Sequence, residues 1–260
     1  MPSSPWPFLD HPGPLAFAHR GGAGDWPENT MAAFENAVSL GYAYVETDVH
    51  VTADGKLVAF HDDHLGRVTD ETAGIADLPW SAVSEVLVGG EGQVPLLEDI
   101  LGAFPDVKVN IDPKVDTAVE PLGEAIVRTG SVDRVCVGSF SDSRVAGVRA
   151  IAGDRLCTSL GPGGAAKLIA ASKGVPTGQL HAACAQLPVS VKGIPITTPK
   201  LVAAAHERGM QVHVWTVDDP EEMVRLLDMG VDGIMTDRCA VLRQVLEDRG
   251  EWVPASGGDR

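Results

Sequence analysis

Two acidic residues, Glu46 and Asp48, lie two positions apart in the segment YVETDV. Alternate residues of a β-strand face the same side, so an extended YVETDV directs both carboxylates to one face. Asp112 and Lys114 repeat this spacing in NIDPK. Three converging carboxylates offer only oxygen donors, the ligands that hard divalent cations prefer. We therefore predict that Glu46, Asp48 and Asp112 bind one divalent cation, Mg²⁺ or Ca²⁺.

Two histidines, His19 and His61, each lie at the end of an apolar extended segment. His19 ends an apolar run and is followed by Arg20, while His61 is followed by two aspartates. A single histidine at the end of a strand is most often structural. Two histidines near a carboxylate cluster indicate proton transfer, because imidazole gives and takes protons near neutral pH. We predict that His19 and His61 act as a general acid and a general base.

The charges of these residues indicate the kind of substrate. The three carboxylates, one divalent cation, Arg20 and Lys114 leave a net charge of about +1 when both histidines are neutral, by simple summation. A phosphodiester carries a single negative charge and balances it. Fixed cations close to the substrate outweigh distant surface charge that salt screens. We therefore predict a phosphodiester substrate, with Arg20 and Lys114 as its cationic contacts.

Elements that can position these residues recur along the chain as short β-type runs, each followed by a helical pattern. Eight such units in about 250 residues predict a single TIM (β/α)8 barrel, an α/β fold, although an open doubly wound sheet shows the same alternation with fewer strands. The candidate strands are LAFAHR (15–20), YVETDV (44–49), VNIDP (109–113), VCVGSF (135–140), LCTSL (156–160), CAQLP (184–188), VHVWTV (212–217) and DGIMTD (232–237).

One segment interrupts the alternation. After YVETDV the chain continues through HVTADGKLVAFHD, in which Asp54-Gly55 separates two extended runs and predicts a tight hairpin turn. A small β-hairpin after the second strand lies at the C-terminal face of a barrel, where active sites of this fold are found. The returning limb would bring His61 back to the mouth. At the other end of the chain, we predict that Asp237 caps the last helix.

Composition excludes several classes of partner. The chain has 260 residues and a formal charge of −16, with no cluster of lysine and arginine, so we expect no nucleic-acid partner. No run of 18 apolar residues and no leader pattern occur, so we expect no membrane span and a cytoplasmic protein. The four cysteines form no C-x-x-C pair, and we expect them to be small buried residues of a reducing compartment.

The chain is predicted to form one domain over residues 1–260, with its core in residues 15–250. A composition with 44% apolar and 22% charged residues is typical of a packed globular protein. The segment before Leu15 and the tail from Val253 are rich in proline, serine and glycine, so we expect both to be loosely held. The oligomeric state is left open.

Taken in order, these segments resemble the glycerophosphodiester phosphodiesterase family. The stretch from Ala18 to Asp70 contains the H-R-G, P-E-N-T, E-x-D, T-x-D-G and H-D motifs of that family. The later VPLLEDIL, NIDPK, GSF, VHVWTVDD and GVDGIMTD are also similar to it, so the resemblance extends from about Ala18 to Arg249. Each motif alone is weak, but their order and spacing make the resemblance specific.

The resemblance implies a metal-dependent TIM barrel that hydrolyses glycerophosphodiesters to sn-glycerol 3-phosphate and an alcohol. By position, the matches are His19 and His61 for the acid/base pair, Glu46, Asp48 and Asp112 for the metal ligands, Arg20 and Lys114 for the cations that contact phosphate, and Trp215 for an aromatic side chain that lines the site. The partner it implies is a small-molecule glycerophosphodiester.

Asp112 departs from the resemblance, because the third metal ligand is often glutamate in the family. The shorter side chain keeps the oxygen donor and can change the metal preference. The stretch from Leu65 to Gln93 is short here, so we expect no large lid, and the preferred alcohol stays open. Two alternatives stay open as well: a lysophospholipase D-type phosphodiesterase, and a barrel that binds phosphate compounds without catalysis. The identity of the attacking group is also left open, and it is either water or the 2-hydroxyl of glycerol.

Overall fold

Each of the eight predicted strand segments contains a strand in the computed structural model, which describes residues 5–255. The strands are β1 (Leu15–Ala18), β2 (Tyr44–Val51), β3 (Leu57–Ala59), β4 (Leu87–Val88), β5 (Gly92–Gln93), β6 (Lys108–Pro113), β7 (Val135–Val137), β8 (Cys157–Thr158), β9 (Cys184–Pro188), β10 (Ser190–Val191), β11 (Ile194–Pro195), β12 (Gln211–Trp215) and β13 (Gly233–Thr236).

Helices alternate with these strands. The α-helices are α1 (Met31–Ser39), α2 (Trp80–Val83), α3 (Leu97–Ala103), α4 (Val119–Arg128), α5 (Asp142–Ala152), α6 (Pro162–Ser172), α7 (Pro199–His206), α8 (Pro220–Asp228) and α9 (Cys239–Asp248). Short 3-10 helices cover Pro7–Leu9, His19–Gly21, Leu65–Arg67, Ile75–Asp77, Asp116–Ala118 and Val132–Arg134. None of the helices within residues 5–255 combines the length and the apolar composition needed to cross a bilayer.

The main sheet follows the order of the chain around a nearly closed barrel. Its parallel strands neighbour one another in the order β8, β7, β6, β2, β1, β13, β12, β9. The two ends of this order meet through one parallel bridge between Ser159 and Cys184. First and last strands of the repeat, β1 and β13, pair in the middle of the order, as Ala18 opposite Thr236 shows. The predicted TIM barrel is confirmed, and an open doubly wound sheet is excluded.

The predicted hairpin is formed by β2 itself, which extends two residues beyond the predicted strand. β3 pairs antiparallel with its second half, with Val49 opposite Ala59 and Val51 opposite Leu57. Gly55 lies in the turn with a φ of 82°, a value that glycine adopts without steric cost. The segment after β3 packs on the hairpin through a separate apolar cluster that includes Val58, Phe60, Leu65, Ile75 and Val83. This cluster fixes the limb that carries His61.

Alternation along the strands divides the core into two layers. Ala16, Val45 and Val109 face outward to the main cluster under the helices. Phe17 and Tyr44 face the barrel interior, where a second cluster fills the end nearest the strand starts. Because side chains alternate along a strand, Glu46 and Asp48 face the barrel interior as Tyr44 does. Each lies one step closer to the C-terminal end of the barrel. The same alternation that packs the lower barrel therefore directs the carboxylates into its mouth.

The prediction that the segment before Leu15 is loosely held is wrong for its described part. Phe8 and Leu9 are buried, at 0% and 3% exposure, within the lower interior cluster. The Tyr44 hydroxyl donates a hydrogen bond to the Phe8 carbonyl at 2.9 Å. Burial of a large aromatic side chain outweighs the loop-forming composition around it. At the other end, Ala255 donates a backbone hydrogen bond to Gly41, and residues 1–4 and 256–260 lie outside the described chain.

Candidate active site

One cavity of about 490 Å³ opens at the C-terminal ends of the barrel strands. All of the predicted site residues line it, although they come from segments spread over nearly 200 positions of the chain. They are His19, Arg20, Glu46, Asp48, His61, Asp112, Lys114 and Trp215. The structure therefore brings the whole predicted set to one place.

The three acidic residues come from the neighbouring strands β2 and β6. Asp48 lies directly opposite Asp112 in the parallel register, and all three carboxyl groups are buried, with Glu46 at 5% exposure. The Lys114 ammonium forms ion pairs with Asp48 Oδ1 at 2.7 Å and Asp112 Oδ2 at 2.9 Å. The lysine thus offsets part of the negative charge that these strands place in the mouth.

The pKa values of the two carboxyl groups of β2 shift in opposite directions, because burial dominates for Glu46 and nearby cations dominate for Asp48. It raises the pKa of Glu46 to about 7, and the nearby Asp48 charge adds to this increase. Burial also acts to raise the pKa of Asp48, but Lys114 and Arg20 outweigh it and lower that pKa. Of these two carboxyl groups, Glu46 is therefore the one less compensated by the protein's own cations.

A strained loop after β1 presents His19 and Arg20. Arg20 has a φ of 52°, which is unusual for a residue other than glycine, and Gly21 follows with a φ of 82°. A Cβ atom on Gly21 would lie 2.8 Å from the Ala33 side chain, so only glycine fits there. This conformation lets the Arg20 backbone N–H donate to Glu46 Oε2 at 3.1 Å.

The His19 ring is held by a carboxylate that lies directly after the last barrel strand. Its Nδ1 lies 2.7 Å from Asp237 Oδ1, and its Nε2 lies 3.8 Å from Glu46 Oε2. Burial alone would lower the pKa of His19, but Glu46 and Asp237 outweigh it and raise that pKa. The prediction that Asp237 caps the last helix is wrong, because α9 begins after Arg238 without a side-chain cap. Its carboxylate orients His19 instead.

His61 has a carboxylate partner of its own on the hairpin. Its Nδ1 lies 2.5 Å from Asp62 Oδ1, and Asp62 is in turn bonded by the Arg67 guanidinium. The His50 ring donates from Nε2 to the His61 carbonyl at 3.1 Å, so this buried histidine supports the backbone of its neighbour. In both pairs the carboxylate occupies Nδ1, which favours the tautomer with Nε2 available for proton transfer.

Residues of the P-E-N-T motif position the cationic side of the site. Arg20 Nη1 donates to Glu28 at 3.0 Å, and its Nε lies 3.3 Å from Asp48 without an aligned hydrogen bond. The Asn29 amide donates to Asp48 Oδ2 at 3.4 Å. Thr30 caps α1 by accepting from the backbone of Ala33. Only the threonine of this motif is therefore a helix cap, and the other two polar side chains support the site.

The opposite wall of the cavity is apolar. Trp215 ends β12 and packs edge to face against Phe140, with ring centroids 5.5 Å apart. Phe140 is 68% exposed and lies at the rim of the mouth. The remaining apolar lining residues are Leu160, Pro162, Ala165, Ala166, Ile169, Leu187, Pro188, Val191, Ile196 and Met235. The cavity thus pairs a charged wall with a hydrocarbon wall.

The donor chemistry of the acidic trio fits a hard divalent cation. All donors are carboxylate oxygens, and Asp112 Oδ1 is buried without a hydrogen-bond partner. Among residues 5–255, however, oxygens of Glu46, Asp48 and Asp112 do not all lie within 4.8 Å of one another. Lys114 lies between two of them. Cation binding would accordingly require side-chain rotation and a shift of the lysine, and the metal stays a prediction.

Fold and site together define a TIM barrel whose mouth holds two histidine–carboxylate pairs, three buried carboxylates and two cations in one cavity. A family model described as "Glycerophosphoryl diester phosphodiesterase family" matches residues 19–241. The chain belongs to this family and is a phosphodiester hydrolase, which confirms the resemblance read from its motifs.

Individual relatives show the same similarity. A protein of Mycobacterium tuberculosis named "Probable glycerophosphodiester phosphodiesterase 2" is 42% identical over 254 residues, 94% of this chain and 95% of its own. The human "Lysophospholipase D GDPD1" is 26% identical over 89% of this chain and 85% of its own. A solved structure of an Oleispira antarctica phosphodiesterase in complex with the product sn-glycerol-3-phosphate superposes with a TM-score of 0.75, at 21% identity, over 90% of this chain and 97% of its own. At 21% identity, this structural match shows that the two proteins share a fold.

Proposed function

We propose that this protein hydrolyses glycerophosphodiesters to sn-glycerol 3-phosphate and an alcohol by acid/base catalysis with His19 and His61. One observation carries the proposal: two imidazoles, each bonded through Nδ1 to a carboxylate, line the same cavity as the acidic trio and the cations Arg20 and Lys114. This arrangement leaves two Nε2 atoms to transfer protons beside a charged wall suited to a phosphate group.

In the proposed reaction one imidazole accepts a proton and the other donates one. One imidazole takes the proton from the attacking hydroxyl as its oxygen bonds to phosphorus. The other gives a proton to the alcohol oxygen as the bond between that oxygen and phosphorus breaks. Either histidine fits either part, and the attacking hydroxyl is that of water or of the glycerol 2-position. In the latter case a cyclic phosphate forms first, and water opens it in a second step.

The charged wall would bind the phosphate group. Lys114 and Arg20 are the cations nearest to the acidic trio, and their side chains are largely buried, at 17% and 15% exposure. Burial strengthens their attraction to charge that develops on the non-bridging oxygens. A Mg²⁺ or Ca²⁺ ion bound by Glu46, Asp48 and Asp112 would supply further positive charge for the same oxygens.

Removal of metal tests the cation. We expect treatment with a chelator to abolish release of glycerol 3-phosphate from glycerophosphocholine, and added Mg²⁺ or Ca²⁺ to restore it. Glu46→Gln removes the carboxylate of β2 that the protein's own cations compensate less, and should raise the metal concentration needed for half-maximal activity. Full turnover after exhaustive chelation would exclude a metal from the mechanism. Binding of the diester without any product would instead support the non-catalytic alternative.

A lysophospholipid is the second candidate substrate, and the apolar wall favours it. Phe140 and Val191 line the cavity and remain 68% and 49% exposed at its rim, which is where an acyl chain leaving the site would lie. The human relative carries a lysophospholipase D name. Rates on glycerophosphocholine and lysophosphatidylcholine separate the two substrates. If the acyl chain uses this wall, Phe140→Ser slows the lysolipid reaction selectively, whereas Val127→Ser, on the distant and exposed outer face of α4, does not.

A further inference from the structure

Three of the four cysteines meet inside the lower barrel. Cys136 of β7, Cys157 of β8 and Cys184 of β9 are each buried, and their sulfur atoms all lie within 4.8 Å of one another. The sulfurs of Cys136 and Cys184 are 4.0 Å apart. Although scattered in the sequence, these residues converge because three consecutive barrel strands place them on the interior face. We call them the thiol cluster.

We propose that the thiol cluster binds a thiophilic cation of the Zn²⁺ type, separate from the acidic mouth. Three sulfur donors select such a cation over Mg²⁺ or Ca²⁺. Around a tetrahedral ion with zinc–sulfur bonds of about 2.3 Å, sulfur atoms lie about 3.8 Å apart. The sulfurs of Cys136 and Cys184, 4.0 Å apart, are already close to this spacing, and the Cys157 sulfur lies within 4.8 Å of both.

Groups around the thiol cluster suit a metal thiolate. The imidazole of His213, on β12, interacts with the Cys184 thiol, but its nitrogens do not lie within 4.8 Å of all three sulfurs, so the fourth donor is left open. Three thiolates and one divalent cation carry a single net negative charge. Lys108 and Arg149 both interact electrostatically with Cys157, so two cations of the protein are placed to compensate that charge.

The cluster also lies at the least bonded part of the barrel. β8 has only two residues, and its segment joins that of β9 through one parallel bridge, Ser159 to Cys184, with backbone hydrogen bonds from Ala183 to Thr158 and from Leu160 to Cys184. A cation shared by Cys136, Cys157 and Cys184 would link β7, β8 and β9 across this seam. Binding to the folded state alone raises stability by mass action. The site would thus be structural, which matches its distance from the mouth and its complete burial.

Metal analysis of the full-length protein tests the proposal. The protein is expressed with added Zn²⁺, purified with a phosphine reductant and dialysed. We expect about one equivalent of zinc, as for a structural site. Refolding with Co²⁺ should give thiolate-to-cobalt charge-transfer absorption, which carboxylate ligands do not produce. Removal of the metal should lower Tm by about 5 °C or more.

Variants distinguish the thiol cluster from other sites. Cys157→Ser and Cys157→Ala should both lose the zinc and the cobalt absorption. Cys239→Ser is the matched control, because Cys239 is also buried but lies beside Gly22, outside the cluster. It should keep both signals. Wild-type protein without zinc or cobalt absorption would overturn the proposal, as would metal that persists in both Cys157 variants and disappears in Asp48→Asn.

Discussion

The two histidine–carboxylate pairs of the mouth are built in different ways. His19 and Asp237 are 218 positions apart and meet because the first and last strands of the barrel are neighbours. His61 and Asp62 are adjacent in the chain and lie on a hairpin outside the ring of strands. The His19 side chain is 16% exposed and the His61 side chain 32%. The barrel strands thus hold the His19–Asp237 pair in place, whereas the hairpin holds the His61–Asp62 pair.

Replacement of either ring should have the largest effect. We expect His19→Ala and His61→Ala each to reduce kcat by about 10²–10⁴-fold, because each removes one proton-transfer step. Steady-state assays of glycerol 3-phosphate release measure this, with Tm as a check on folding. His64→Ala is the control, since His64 is exposed and paired with Asp63 next to the hairpin histidine. Near-normal turnover in either of the first two variants would refute the acid/base role of that ring.

Replacement of the two carboxylate partners tests whether both pairs work alike. We expect Asp237→Asn and Asp62→Asn to lower kcat by at least about 10–100-fold, the loss typical when the hydrogen-bonded partner of a metal-binding histidine is removed. Asp237→Asn should also lower the pKa of His19, because Asp237 helps to raise it. The limb of the pH–rate profile that reports His19 should therefore move to lower pH. An unchanged profile with reduced kcat would mean that Asp237 acts only through packing.

The smallest effect is expected for the outer support of the hairpin pair. Arg67 bonds both Asp62 and Glu28, and its side chain is 44% exposed. Exposed ion pairs contribute at most about 1 kcal/mol, so Arg67→Ala should reduce kcat/KM by about fivefold or less. Arg128→Ala, which breaks a comparable pair with Glu98 far from the mouth, provides the control. A loss as large as that of Asp62→Asn would show that Arg67 itself contacts the substrate.

The same contrast shows what the sequence could reveal. The hairpin turn, the eight strands and the convergence of the acidic trio with both histidines follow from alternation and strand ends, which are local signals. Asp62 stands next to His61 in the sequence, whereas the neighbours of Asp237 predict only a helix cap. Its signal lay in the topology: a residue after the last barrel strand necessarily lies beside the residue after the first.

Contacts that depend on the register of distant strands were beyond the sequence. The convergence of Cys136, Cys157 and Cys184 requires the interior faces of three strands to be known together. The burial of Phe8 was missed for a related reason, because a proline-rich segment gives no periodic pattern from which burial could be predicted. The position of the Lys114 side chain likewise depends on its ion pairs with Asp48 and Asp112, which come from two different strands. The spacing of residues along the chain does not encode these pairs.

Phe8 closes the barrel at the end opposite to the mouth, and this separates two engineering problems. Its ring packs on Tyr44 with centroids 5.4 Å apart, in a layer that shares no charged group with the acidic trio. Substitutions that redesign headgroup preference can therefore be combined with substitutions that improve heat tolerance at the base, and their free energies should be additive. A linker for immobilisation, by contrast, should not displace the Phe8 side chain, because its loss from the lower interior cluster would reduce the stability of the fold.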